Sequence, residues 1–236
     1  TSPLSIVTVL QVALHSSSSS LQQIAYSISN SVPTTRMALH SLMRVALLGA
    51  ARTALVLLPS DPKQRLTNAK MVLAQDCQSG LRALEEYAKF QGFRAFSPPD
   101  ELVEELRQQR AHLYPKGRIP GEGTMIKRQT EALIQALQVA AEGQKDAGIL
   151  DDYGPEILHD HASWLWNTYS GLAHAYSWPL LLPGISSDNH MPGDFPLDLY
   201  MIANSCVVAF SAYNDRASSE SGYTTLPVNL SSQLPN

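Results

Sequence analysis

The sequence predicts an all-α protein: a multi-helix bundle of six to seven helices with buried central helices. Three observations carry that expectation. Apolar residues recur at three- and four-residue intervals along most of the chain. No segment of useful length alternates apolar and polar residues as a half-buried strand does. Proline, glycine and aspartate cluster between the periodic stretches, so the connections are short and helices pack on helices.

The first helix is expected over 3–30, with Pro3 in its first turn and a stripe of Ile6, Val9, Leu10, Ala13, Leu14, Leu21, Ile24 and Ile28. The run Ser16 to Ser20 weakens it, because serine offers the backbone competing hydrogen bonds; a break or linker there is an alternative. Val32-Pro33-Thr34-Thr35 closes that element and caps a second helix over 34–58. The second helix is apolar around most of its circumference, which marks it as central. Its stretch 37–58 is the longest apolar run, but His40, Arg44 and Arg52 interrupt it and argue against a membrane span. Asp61 as cap and Pro62 at the first helical position open a third helix to about residue 91. Its charged residues, Arg82 among them, read as a solvated face.

Ser97-Pro98-Pro99-Asp100 has the spacing of a capping box and opens a short charged helix to about Leu113. The loop 114–123 is rich in glycine and proline, and a fifth helix follows over 124–145. An ordinary mobile loop is expected there; the alternative is an anion site, because Lys116, Arg118, Lys127 and Arg128 flank the N-terminus of that helix. The loop lacks the Gly-Lys-Ser/Thr of a Walker A motif. A sixth helix starts near Pro155 and carries all three tryptophans. The last helix starts near Phe195 and is expected to end near Tyr213. One domain over 1–216 and an extended tail over 217–236 account for the 236 residues.

Charge is sparse, 16% of residues against about 25% in ordinary proteins, which points to extensive burial and to a homodimer interface. A net charge of −4 provides no general attraction to nucleic acid or to an anionic membrane. Its distribution is uneven. Residues 1–60 have no Asp, Glu or Lys, only Arg36, Arg44 and Arg52, whereas 146–215 hold nine acids and no Lys or Arg. Packing of one segment on the other is expected. Cys77 and Cys206 lie in apolar helical patterns and read as buried free thiols, in keeping with a reducing, cytoplasmic setting. Residues 4–14 lack a basic leader and a cleavage site, so no signal peptide is expected.

On the sixth helix, Leu158, Ala162, Leu165, Tyr169 and Leu172 form an apolar stripe. Asp160, Ser163, Asn167, Ser170 and His174 form a short-chained polar stripe, which suits the lining of a cleft. Arg36 and His40 share a face of the second helix. The candidate site residues are therefore His174, Arg36, His40, Ser170 and Asn167, with imidazole as acid or base and Arg36 on an anionic group. No cofactor is expected. His159, Asp160, His161, His174 and His190 offer metal-binding side chains, but His159 and His161 stand about 200° apart on a helix and no HExxH occurs. No native metal site is expected, and a metal-dependent enzyme built on that segment is the weaker alternative.

Arg36-x-x-x-His40 followed by Leu57-Leu58-Pro59, and then Tyr169-Ser170-Gly171-Leu172-Ala173-His174-Ala175-x-x-Trp178, resembles a group of uncharacterised actinobacterial helical proteins over residues 33–182. More distantly, the Ser170-x-x-x-His174 helix is similar to HEPN-type bundles. That resemblance implies a dimer and a cleft acting on or binding RNA or a nucleotide-like anion. In HEPN ribonucleases an Arg, four to six residues and then a His stand on one helix. Here the places four to seven before His174 are taken by Ser170, Tyr169, Thr168 and Asn167, so only Arg36 can supply a guanidinium, through space. A non-catalytic interaction module, whose central polar groups fix helix register, is the other reading.

Overall fold

A computed structural model describes residues 3–87, 89, 99–115, 119–142, 155–174 and 195–221. Among them are seven helices and no strand: α1 (Ile6–Ser29), α2 (Arg36–Leu57), α3 (Pro62–Tyr87), α4 (Asp100–Leu113), α5 (Glu122–Glu142), α6 (Pro155–Ala173) and α7 (Phe195–Ser221). The all-α bundle is as expected. The central helix is α2, which packs against α1, α3, α5, α6 and α7, while α4 lies on α3. Its window Met37–Leu57 is long and apolar enough to cross a membrane by composition, yet 67% of it is buried inside the bundle.

The local chemistry explains most helix boundaries. Ser5 Oγ accepts from Thr8 N at the start of α1, and Thr35 Oγ1 accepts from Ala38 N at the start of α2. Asp61 Oδ1 accepts from Lys63 N at 2.9 Å, so the Asp61-Pro62 start of α3 stands where the sequence places it. The start of α4 differs. Its cap position is Pro99, with no side-chain cap bond, and Ser97 lies outside the described residues.

Helix α1 ends in a Schellman arrangement: Val32 N bonds Ser27 O at 3.0 Å and Ser31 N bonds Ile28 O at 3.2 Å. Ser31 takes the left-handed conformation there, with φ 50°.

One expectation about helix limits holds and another is corrected. The serine run leaves α1 a single helix, as expected. Ser17 and Ser20 are buried, in register with Leu10, Ala13, Leu14, Ile24 and Ser27. Ser17 Oγ donates to Ala13 O and lies 3.0 Å from Ala46 O of α2, so its hydroxyl is satisfied inside the interface. The same small side chains let α1 approach Gly49, whose ideal Cβ position is already filled by Ser17 Oγ and the Ala13 carbonyl. The last helix, in turn, ends later than expected, at Ser221 and not near Tyr213. Residues 217–221 continue α7, and 222–236 lie outside the described residues.

The main core joins α1, α2, α5, α6 and α7 around Ile24, Met43, Leu47, Leu165, Tyr169 and Ile202. A second cluster joins Val9 and Leu10 to Leu55, Val72 and Met125, and a third seats Leu106 of α4 on Cys77 and Leu81. The α2–α3 corner is stitched by polar groups: Asn68 Nδ2 donates to Leu55 O at 2.7 Å, and Arg65 donates to the carbonyls of Pro59 and Ser60.

Segments 1–60 and 146–215 do meet, through α2 with α6 and α7. Ion pairing is not the reason among the described side chains. Arg44 pairs with Glu122 of α5 at 3.3 Å, and Arg52 pairs with Asp76 of α3. The contact between the two segments is mainly apolar packing, with hydrogen bonds from Gln11 Nε2 to the Tyr213 hydroxyl and from Cys206 Sγ to Ala46 O beside it.

Candidate functional site

Two places concentrate polar chemistry. The first is buried between α2, α6 and α7. Asp198 in the first turn of α7 has no exposed surface. Its Oδ1 lies 2.8 Å from His161 Nε2, and its Oδ2 accepts from the Tyr169 hydroxyl. His40 of α2 stacks on Tyr169, with ring centroids 4.5 Å apart and planes 16° apart. Trp164 meets Tyr169 edge-on at 6.4 Å and lies 6.0 Å from His161. Helical spacing explains the set: His161, Trp164 and Tyr169 of α6 share the side facing α7, and both carboxylate oxygens are engaged. A buried carboxylate is tolerated only when partnered in this way.

The second place is a cleft of about 550 Å³. Arg52 of α2, Gln75, Gln78, Ser79 and Arg82 of α3, and Arg110 of α4 face the stretch 119–123 and Trp166 across it. The α3 contributors are spaced three, four and seven residues from Gln75, hence on one helical face. Among the described residues, three guanidinium groups stand against one lining carboxylate, Glu122, which Arg44 neutralises. Arg44 also lies over the Trp166 ring, 4.7 Å from its centroid, and so fixes the wall. Asp76 holds Arg52, whereas Arg82 and Arg110 form no ion pair among the described residues. Arg52 Nε, Gln75 Oε1 and Arg110 Nε are buried atoms without a hydrogen-bond partner among the described residues, and all three belong to this one wall. The first turn of α5 adds backbone N–H groups and the positive end of its dipole.

On the far side of 119–123 is a second cleft, of about 590 Å³, bounded by Gly121, Gly123, Thr124, Lys127, Ser163, Trp166 and Asn167.

The five sequence candidates do not converge among the described side chains. Asn167 is exposed and lines the second cleft. His40 is 1% exposed, seated against Tyr169, and is not among the described residues lining either cleft. Ser170 is half-buried, and His174 is exposed in the turn closing α6, its N–H bonded to Ser170 O at 3.0 Å. Arg36 opens α2, but its side chain lies outside the described residues. The polar stripe of α6 is split: Ser163 and Asn167 enter a cleft, while Asp160 is 90% exposed at its side chain.

Of the basic residues around the fifth helix, Lys116 and Arg118 lie outside the described residues, Lys127 lines the second cleft, and Arg128 reaches Met71 Sδ at 3.7 Å. The acidic histidine segment assembles no ligand set among the described residues: no three His, Cys, Asp or Glu side chains come together there. His161 turns to Asp198, while His159 lies 3.7 Å from neighbouring Asp160, and His190 lies outside the described residues.

Arg82 is exposed, as its place on a solvated face predicts, but that reading did not show that Arg82 and Arg110 line one cleft. The available signal was Gln75-x-x-Gln78-Ser79-x-x-Arg82, a polar stripe beside the Asp76 that receives Arg52. Comparison with protein-family models, with curated proteins and with solved structures finds no match for this chain.

Proposed function

We propose that the protein binds a small phosphate-bearing anion in the cleft of Arg52, Arg82 and Arg110. The observation carrying this reading is the convergence of three guanidinium groups from three helices on one cavity, with the buried Nε atoms of Arg52 and Arg110 unbonded among the described residues. Guanidinium groups match phosphate oxygens in charge and in planar, forked geometry. Unsatisfied buried polar atoms are rare in folded proteins and need an explanation, which an anion supplies. The cavity, about 550 Å³, lies within the usual small-ligand range of about 300–1,000 Å³. The net charge of −4 gives no extended positive field, which favours a compact anion over a long polyanion.

The test is calorimetric titration of the full chain with inorganic pyrophosphate. Arg82→Gln combined with Arg110→Gln leaves no described carboxylate orphaned, because neither side chain is in a described ion pair. Loss of the two charge-assisted contacts is expected to weaken binding by roughly tenfold or more. Equal affinity in wild type and variant overturns the reading, as does an absence of binding to both.

A further inference from the structure

The arginine cleft and its neighbour share a wall. Ile119, Pro120, Gly121, Gly123 and Trp166 line both. Their chemistry differs on either side. One side is cationic; the other offers the Asn167 amide, the Ser163 and Thr124 hydroxyls and the Lys127 ammonium.

We propose that the bound molecule is a nucleoside phosphate, with its phosphate on the arginines and its heterocycle in the amide-and-hydroxyl cleft. The inference rests on the anion-binding reading above and specifies the ligand of that site.

At Gly121, which lines both clefts, an added Cβ would meet nothing within 4 Å. At Gly123 the corresponding position lies 3.5 Å from Trp166 Nε1, in ordinary contact. A molecule with two chemically distinct ends can therefore lie across the glycines.

The polar groups on the far side are also uncommitted. Helical hydroxyls elsewhere in the bundle turn back to the carbonyl one turn earlier, as Ser41, Thr53 and Thr130 do. Ser163, Thr124 and Asn167 make no side-chain hydrogen bond among the described residues. Ser163 and Asn167 are four apart on α6, and Thr124 and Lys127 three apart on α5, so each pair points along one helical face into the same space. An amide presents a donor and an acceptor side by side, the complement of a ring nitrogen beside an exocyclic amino or keto group.

The experiment titrates the full chain with ribose 5-phosphate, with the nucleoside 5′-monophosphates and with a short oligoribonucleotide. At least one nucleoside monophosphate is expected to bind roughly tenfold tighter than ribose 5-phosphate. Asn167→Ala, at an exposed position, should erase that preference and leave ribose 5-phosphate affinity unchanged. Equal binding of ribose 5-phosphate and every nucleoside monophosphate overturns this proposal while sparing the anion site. Failure of pyrophosphate and all phosphate esters to bind overturns both. Tighter binding of the oligoribonucleotide than of any monomer also overturns it, in favour of a strand-binding surface.

Discussion

His161 Nε2 lies 2.8 Å from Asp198 Oδ1, and through that contact α6 holds a carboxylate of α7 that has no exposed surface. The Tyr169 hydroxyl occupies the other oxygen. Removing one partner leaves a buried oxygen unsatisfied, which costs more than the bond itself. His161→Leu is expected to destabilise the protein by about 1–3 kcal/mol. Tyr169→Phe is expected to cost about 1.5–3 kcal/mol, the range for a hydrogen bond to a charged group. Urea unfolding measures both, and a loss below about 1 kcal/mol for His161→Leu would show that Asp198 is held by something else.

The α1–α2 crossing makes an unusual sign prediction. Glycine to alanine inside a helix ordinarily stabilises by about 1 kcal/mol. At Gly49 the added methyl falls on Ser17 Oγ and the Ala13 carbonyl, so overpacking prevails and Gly49→Ala should destabilise by about 1–3 kcal/mol. The double variant with Ser17→Gly should recover part of that loss, because one of the two obstructing groups is gone. A stabilised Gly49→Ala protein in thermal unfolding would sink the close-approach argument.

Ser31 holds a left-handed conformation that glycine adopts without strain. Ser31→Gly should raise stability by about 0.5–1 kcal/mol, and Ser31→Val should lower it by at least as much. The pair of melting temperatures, shifted in opposite directions, is the check.

Burial pushes the Cys206 thiol up to about 12, and burial followed by the neighbouring Asp76 raises that of Cys77. The thiolate is the reactive form, so neither cysteine should react with a disulfide reagent at pH 8 in the native protein, and both should react in urea. The sign of the pH dependence follows. The unfolded thiol ionises near its ordinary value of 9.0, while the folded Cys206 thiol stays protonated to about 12. Its contribution to stability is therefore full below pH 9 and falls as pH rises towards 12. Cys206→Ala should flatten that alkaline limb of a stability-against-pH curve.

Much of the fold was legible because it is written in apolar spacing. The all-round apolar character of α2 identified the central helix, and Asp61-Pro62 marked the start of α3. The serine run left a break open as an alternative because propensity describes an isolated helix, whereas Ser17 satisfies its hydroxyl inside a helix–helix contact. The charge contrast between the two ends correctly indicated which segments touch, but for the wrong reason, since Arg44 and Arg52 draw on Glu122 and Asp76. The arginine cleft was not legible as a site. Arg52, Arg82 and Arg110 come from three helices, and periodicity along one helix carries no information about which faces of different helices converge.

Helix α2 carries His40 to the buried cluster and Arg52 to the cleft, twelve residues or about 18 Å of rise apart. The two places are thus measured off one rod. A slip of α2 by a single residue would turn both side chains by about 100° and shift them by about 1.5 Å along the axis. His40 would leave the Tyr169 ring as Arg52 left Asp76. Gly49, pressed against α1 between them, works as the detent that sets this ruler, so the alignment of an interior stack and an exterior charge is referred to one missing methyl group.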